Sequence, residues 1–182
     1  LSIGRIQEQK RQLETIKFIN NFRKIDSNFL CYFIGGPSGK SGDDYLAELE
    51  KSVKEFNLES HVKFLGNLPQ TKIKNYMNKS KLLIHTSQYE TFGLVAIEAN
   101  SMGVPILSIN TGSLIEIIEN NKNGYFAEDF MDNHANNFVR DLLNNNDYFN
   151  NVMSQCIQKS EKYNWAATAD NLLKTYQDVK LS

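Results

Sequence analysis

Residues 82–109 read LLIHTSQYETFGLVAIEANSMGVPILSI, and this stretch decides the fold. The apolar run Leu82–Thr86 predicts a buried strand, residues 92–102 predict a helix, and Val104–Ile109 predicts a second strand. Strands that alternate with helices are typical of a parallel sheet whose two faces are both covered. The near-continuous apolar character of Leu82–Thr86 fits burial on both sides.

The same alternation continues on either side of this stretch. Further strands are predicted at Leu1–Gly4, Phe29–Gly35, His61–Leu65 and Gly124–Ala127. Helices are predicted at 10–24, 43–57, 70–78, 113–119, 132–145, 147–161 and 164–179. The sequence therefore predicts one α/β domain over residues 1–182: a Rossmann-like parallel sheet of about six strands, helices on both faces and a helical C-terminal tail.

Composition excludes several classes of protein. The 182 residues are 41% hydrophobic and 23% charged with a net charge of −1, which is ordinary for a globular domain and argues against a nucleic-acid binder. No apolar run is long enough to span a membrane. Two cysteines cannot build a disulfide scaffold, so a reducing, cytoplasmic location fits best. No spacing of metal ligands is recognisable, and no metal is predicted.

The loop after the strand at Leu82–Thr86 is the richest in candidate site residues, because ligands of such sheets bind at the carboxyl ends of strands. A helix that begins near Thr91 or Phe92 would offer its first N–H groups to anions or sugar hydroxyls. Glu90 and Glu98 could bind two parts of one long polar ligand. The apolar neighbours of Glu98 predict that it is partly buried with a partner. The alternative is that Glu90 and Glu98 are two surface residues that have this spacing by chance and bind no common ligand.

Two other loops reach the same edge of the sheet. Arg5 and Lys10 follow the first strand, and two cations there suit a diphosphate, with two solvated surface cations as the alternative. The glycine-rich segment Gly35–Gly42 lacks the spacing of a phosphate loop and is interpreted as a flexible loop of weak site potential. His85 ends a strand near Glu90, where a core or supporting role is favoured over a direct one.

The segment YETFGLVAIEANSMGVPI at 89–106 resembles the nucleotide-sugar-binding half of retaining GT-B glycosyltransferases of the family-four type, glycosyltransferase group 1. Glu90 and Glu98 match the family's Glu-x7-Glu motif. Further matches are Gly4-Arg5 with Lys10, Val62–Leu68, Gly112–Ile117, Asn123–Tyr125 and Tyr163–Trp165. The chain departs from the family at Thr86, where Pro is common, and at Thr91 and Ser113, where Gly is common.

The resemblance implies roles for several of the matching residues. Arg5 and Lys10, beside Gly4, would neutralise the diphosphate of the donor and of the leaving group, and Glu90 would hold the transferred sugar; these three charged residues are the catalytic candidates. Glu98 would bind the ribose. The N–H groups that would support phosphate and sugar oxygens belong to Phe92, Gly93, Leu94 and Val95. The segment that would contact the base consists of Leu65, Gly66, Asn67 and Leu68.

The resemblance also implies the reaction. The family transfers a hexosyl group, with retention at the anomeric carbon, from a UDP-, GDP- or ADP-sugar to an acceptor, here a glycan or a lipid-linked glycan, without a cofactor. The acceptor would bind an N-terminal domain that this chain lacks, and the chain opens in mid-strand at Leu1 without Met. We therefore expect a fragment that is inactive alone, from a protein that is cytoplasmic or peripheral at the inner membrane face.

Two alternatives stay open from the sequence. One is a non-catalytic module that binds nucleotide sugars or partners. The other is a nucleotide-sugar 2-epimerase on the same GT-B architecture. The sequence leaves the donor's base and sugar, the acceptor and any membrane association undecided.

Overall fold

The computed structural model describes residues 1–129 and 133–180, and its six strands are all parallel to their neighbours. The strands are β1 (Ser2–Ile3), β2 (Cys31–Ile34), β3 (Val62–Phe64), β4 (Leu83–His85), β5 (Ile106–Ile109) and β6 (Gly124–Ala127). Each coincides with a predicted strand, although all but β6 are shorter than predicted. The prediction of an α/β fold with a parallel arrangement of about six strands is confirmed.

The strands form two three-stranded sheets, ordered β1-β2-β3 and β4-β5-β6, rather than one continuous sheet. The sheets meet at β1 and β4, where the Leu1 nitrogen donates to the Leu82 carbonyl at 2.9 Å and the Ile84 nitrogen donates to the Leu1 carbonyl at 2.8 Å. The strands therefore follow one another as β3-β2-β1-β4-β5-β6, the order of a doubly wound fold.

Eight α-helices lie in the described residues, and helices cover both sides of the sheets. They are α1 (Gln12–Phe22), α2 (Gly39–Glu55), α3 (Gln70–Asn78), α4 (Leu94–Ser101), α5 (Leu114–Ile117), α6 (Asn133–Asn144), α7 (Asn146–Ser160) and α8 (Trp165–Lys180). Three predicted starts are wrong by two residues or more: α1 begins at Gln12 instead of residue 10, α2 at Gly39 instead of residue 43, and α4 at Leu94 instead of residue 92. Residue 132, predicted to be helical, lies outside the described residues.

The predicted apolar stripe of α1 packs against the first sheet. Ile16, Ile19 and Phe22 are almost fully buried in the same cluster as Phe33 of β2 and Leu49 of α2. A second cluster lies around β5 and α4. The side chains of α8, in contrast, are largely exposed, including Trp165 at 89%. Among the described helices, none is both long enough and apolar enough to cross a membrane.

Both cysteines are buried and unpaired. Burial raises the pKa of the Cys156 thiol to about 12 and also raises the pKa of the Cys31 thiol. Because the thiolate is the reactive form, we expect iodoacetamide to leave both cysteines unmodified in the folded protein at mildly alkaline pH and to modify both in denaturant. Mass spectrometry of the two samples measures this. Rapid modification of either cysteine without denaturant would contradict the burial described here.

Candidate functional site

Three charged or titratable side chains meet at the carboxyl ends of β1 and β4. Lys10 lies at the end of a short 3-10 turn after β1, His85 ends β4, and Glu90 lies in the loop that leads to α4. The Lys10 Nζ and the His85 Nε2 each lie 3.3 Å from the Glu90 Oε2. The structure thus brings together two segments 80 residues apart that the sequence predicts only to share an edge of the sheet.

The Glu90 carboxylate is held from three directions. Besides the contacts at Oε2, its Oε1 accepts a hydrogen bond of 3.1 Å from the N–H of Gly93, and the side chain is only 15% exposed. The His85 ring beside Glu90, together with the Gly93 N–H and Lys10, holds the pKa of this carboxyl well below its ordinary value of 4.5, although burial acts in the opposite direction. Glu90 is therefore ionised at neutral pH.

This low pKa predicts how the stability of the fold depends on pH. A carboxyl with a lowered pKa in the folded state stabilises the fold fully above its ordinary value of 4.5 and loses that contribution as the pH falls further. We expect the free energy of unfolding of Glu90→Gln to fall less between pH about 5 and about 3 than that of the unmodified chain. Urea titrations at several pH values measure this difference. Parallel pH profiles for the two proteins would contradict it.

Lys10 is fixed by its main chain as well as by Glu90. The Thr86 hydroxyl donates a hydrogen bond of 2.8 Å to the Lys10 carbonyl, and the Thr15 hydroxyl lies 3.3 Å from the Thr86 hydroxyl. Both threonines are buried. The methylene groups of Lys10 lie close to Gly4, within 3.9 Å of where a Cβ of that glycine would stand. In the sequence, Thr86 stands out only as a departure from the family pattern. In the structure, its hydroxyl group holds the main chain of the loop after β1 in place.

We expect Thr86→Val to lower the free energy of unfolding by about 1–2 kcal/mol, because it removes a buried donor and leaves the Lys10 carbonyl without that partner. Urea denaturation measures the change. Thr71→Val, at an exposed position of α3, is the matched control and is expected to change stability by less than about 0.5 kcal/mol. If both substitutions change the free energy of unfolding by the same amount, the Thr86 hydroxyl does not stabilise the loop.

Arg5 lies at the same edge and is exposed. Its carbonyl accepts a hydrogen bond of 2.8 Å from the Gln12 side chain, which fixes the backbone of the loop. Within the part of the chain that the structure describes, no carboxylate lies within ion-pair distance of its guanidinium. The guanidinium can therefore bind an anion without first breaking an ion pair.

Glu98 is exposed, so the prediction of a partly buried acid is wrong. The helical period explains the difference: Ala96, Ala99 and Asn100 point from α4 into the core, and Glu98 lies on the other face. The Gln70 Nε2 lies 3.5 Å from the Glu98 Oε1, at the limit of a hydrogen bond. Glu98 therefore stands beside the first residue of α3, next to the loop that follows β3.

The start of α4 also differs from its prediction. Gly93 is the N-cap, with a left-handed φ of 67°, and its N–H is already bound to Glu90. The first-turn N–H groups of Leu94 and Val95 have no acceptor within the helix and remain available to a ligand. Phe92 is 72% exposed beside them. A Cβ on Gly93 would lie 2.6 Å from the Ile117 Cδ1, so both the φ and the space require glycine.

The loops after β2 and β3 are joined by two hydrogen bonds. The Gly35 nitrogen donates to the Gly66 carbonyl at 2.9 Å, and the Gly36 nitrogen donates to the Asn67 side chain at 2.7 Å. The interpretation of Gly35–Gly42 as a flexible loop is therefore wrong, since its start is tied to the next loop and α2 begins at Gly39. Leu65 and Leu68, on either side of these contacts, pack against a small apolar cluster of Leu1, Ile34 and Met77.

A cavity of about 1080 Å³ lies at the opposite end of the sheets. Residues at the amino ends of the strands line it, among them Leu1, Leu30, His61 and Leu82. None of the predicted site residues lies in its wall. Because ligands of doubly wound folds bind at the carboxyl ends of strands, we place the candidate site at Lys10 and Glu90 and not in this cavity. The described residues contain no cluster of His, Cys, Asp and Glu that could hold a metal ion.

The family model described as glycosyl transferases group 1 matches residues 1–163. The chain belongs to this family. The match ends before α8, and the family recognised from the Glu90 and Glu98 segment is confirmed.

Two known proteins are similar to this chain over nearly its whole length. A D-inositol 3-phosphate glycosyltransferase of Rhodococcus jostii is 27% identical over 179 residues, which are 96% of this chain and 39% of that protein. A mutant of S. aureus TarM, solved in a complex that includes UDP, is 27% identical with a TM-score of 0.81, over 95% of this chain and 34% of the other.

A second similar structure is the C-terminal domain of a glycosyl transferase group 1 protein, LpcC of Francisella tularensis. It is 22% identical with a TM-score of 0.78, and the match covers 89% of this chain and 84% of that one. At that identity the likeness concerns the fold alone. The chain spans well under half the length of the curated relatives it matches.

Proposed function

We propose that this chain is the nucleotide-sugar-binding domain of a retaining glycosyltransferase, which transfers a hexosyl group from a nucleoside diphosphate sugar to an acceptor. One observation carries the proposal: an ionised Glu90 and the cation Lys10 lie 3.3 Å apart at the carboxyl edge of the sheets, beside the exposed Arg5. The similar proteins are named glycosyltransferases, which favours transfer over the epimerase and over the non-catalytic module.

The two cations match the charge of a diphosphate. Arg5 can bind two phosphate oxygens at once, and Lys10 acts as a point charge. When the sugar leaves, negative charge grows on the diphosphate, and cations already in place stabilise the transition state without reorganisation. Lys10 exchanges its contact with Glu90 for a phosphate, which leaves the Glu90 carboxylate to accept hydrogen bonds from the hydroxyls of the sugar.

The nucleoside end of the donor would lie towards α3. Glu98 would accept hydrogen bonds from the ribose, and Leu65–Leu68 would contact the base from the neighbouring loop. UDP is the first nucleotide to test, because the TarM structure that is 27% identical contains it. GDP and ADP remain alternatives. We propose that the reaction needs neither a cofactor nor a metal.

The acceptor would bind a part of the enzyme outside this chain. The relatives are more than twice as long as the chain, which supports a partner domain that contributes the acceptor site. We propose a glycan or a lipid-linked glycan as the acceptor and a cytoplasmic reaction. The chain alone is expected not to catalyse transfer, and transfer by it at rates comparable with those of the longer protein would refute this.

Isothermal titration calorimetry with UDP tests the site. We expect Arg5→Ala to weaken binding by about tenfold and to reduce its dependence on salt, because it removes a charge-assisted contact. Glu98→Ala is expected to weaken binding as well. Lys79→Ala, an exposed cation at the wall of the opposite cavity, is the matched control and should leave the affinity unchanged. Unchanged affinity in both Arg5→Ala and Glu98→Ala would refute the proposed site.

A further inference from the structure

His85 is a buried polar residue whose Nε2 atom faces the carboxylate of Glu90. Its side chain is 6% exposed, and its Nε2 lies 3.3 Å from the Glu90 Oε2, although the ring N–H is not aligned for a linear hydrogen bond. Within the described residues, the Nε2 has no hydrogen-bond partner elsewhere. Glu90 is therefore the group that can satisfy this nitrogen.

We propose that His85 is a positioning residue that keeps the Glu90 carboxylate in place for the donor sugar. This inference rests on the proposed function, in which Glu90 binds the hydroxyls of the transferred hexose. His85 acts through Glu90 and needs no contact with the substrate itself.

The need for such a residue follows from the contacts of the two carboxylate oxygens. The Gly93 N–H binds Oε1, whereas Lys10 and His85 share Oε2. When a diphosphate draws Lys10 away, Oε2 keeps only His85. Without the ring, the carboxylate could rotate about its contact with Gly93 and lose the orientation that the sugar requires.

The ring is well placed for this purpose because the strand fixes it. His85 pairs with Ser108 of β5, and its neighbours Leu83 and Ile84 are buried in the apolar core. Nε2 must carry a proton to attract the carboxylate, and both the neutral Nε2–H tautomer and the imidazolium meet this condition. A residue needed only for packing would not require a nitrogen at this position, and this difference makes the proposal testable.

The test uses three substitutions in the longest protein that contains this chain. His85→Gln keeps an N–H near the position of Nε2, His85→Leu keeps an apolar volume without a donor, and His85→Asn keeps a polar group that is too short to reach Glu90. For each variant, kcat and KM are measured with the nucleotide sugar, the Kd for UDP is measured by calorimetry, and folding is measured by thermal melting.

We expect His85→Leu and His85→Asn to lower kcat by about tenfold or more, with the Kd for UDP within about twofold of the original, and His85→Gln to restore most of the kcat. An unchanged kcat in His85→Leu would overturn the proposal. An equal loss in all three variants that follows their melting temperatures would also overturn it, because it would indicate a packing role. If the unmodified protein binds none of UDP, GDP and ADP, the proposed function fails instead.

Discussion

Glu90→Gln is expected to lower the turnover of the full-length enzyme by about 100- to 1000-fold, which corresponds to the loss of one strong, charge-assisted contact in the transition state. The amide has nearly the same shape as the carboxylate, but it can accept hydrogen bonds at only one of the two positions that face Gly93, Lys10 and His85. The affinity for UDP should change by less than about threefold, because the diphosphate and nucleoside contacts lie elsewhere. Steady-state kinetics and calorimetry on the same preparation measure both quantities.

Glu50→Gln is the matched control for this experiment. Glu50 lies on α2 and is exposed, so its replacement should leave both turnover and affinity unchanged. If Glu90→Gln turns over at the original rate, Glu90 does not hold the reacting sugar. If it instead loses UDP affinity as strongly as turnover, the carboxylate serves nucleotide binding and the role assigned to it is wrong.

Gly112→Ala is expected to destabilise the fold by more than about 3 kcal/mol. A Cβ on Gly112 would lie on the main-chain carbonyl oxygen of Glu90, and the φ of 49° disfavours any other residue. The neighbouring Ser113 nitrogen donates to the same carbonyl at 3.2 Å, so the loop cannot move aside without losing this contact. Because the clash displaces Glu90 itself, the variant should also lose turnover in any fraction that folds.

Gly39→Ala separates the steric clash from backbone strain. Gly39 has a left-handed φ of 67°, yet a Cβ there would meet nothing within 4 Å. We expect this control to cost only about 1–2 kcal/mol, the ordinary penalty of a left-handed residue. Urea denaturation compares the two variants. Equal stabilities for Gly112→Ala and Gly39→Ala would show that the contact of Gly112 with Glu90 does not constrain the loop.

The strands could be predicted because buried parallel strands carry an apolar signal that needs no tertiary information. The Phe29–Gly35 run, for example, contains β2 entirely. The helix starts were less predictable, because they depend on the left-handed conformations of Gly39 and Gly93. The sequence alone does not indicate which glycines adopt that conformation. The division into two sheets depends on how β1 and β4 pair, which periodicity alone does not reveal.

The position of the site could be predicted from the sequence, but the contacts within it could not. The topology places Lys10 and Glu90 at one edge, but their contact depends on the side-chain conformations that the fold imposes. Only the burial of Glu98 was predicted incorrectly, because the buried residues of α4 lie on the opposite face of the helix. Thr86 was not predicted as a site residue, because its partner, the Lys10 carbonyl, is 76 residues away in the sequence.

A crystal structure of this chain with UDP is the most direct test of where the donor binds. The account predicts a diphosphate between Arg5 and Lys10, with the Lys10 Nζ moved away from the Glu90 Oε2 and the ribose beside Glu98. A diphosphate bound in the cavity at the amino ends of the strands, near His61 and Lys81, would contradict it.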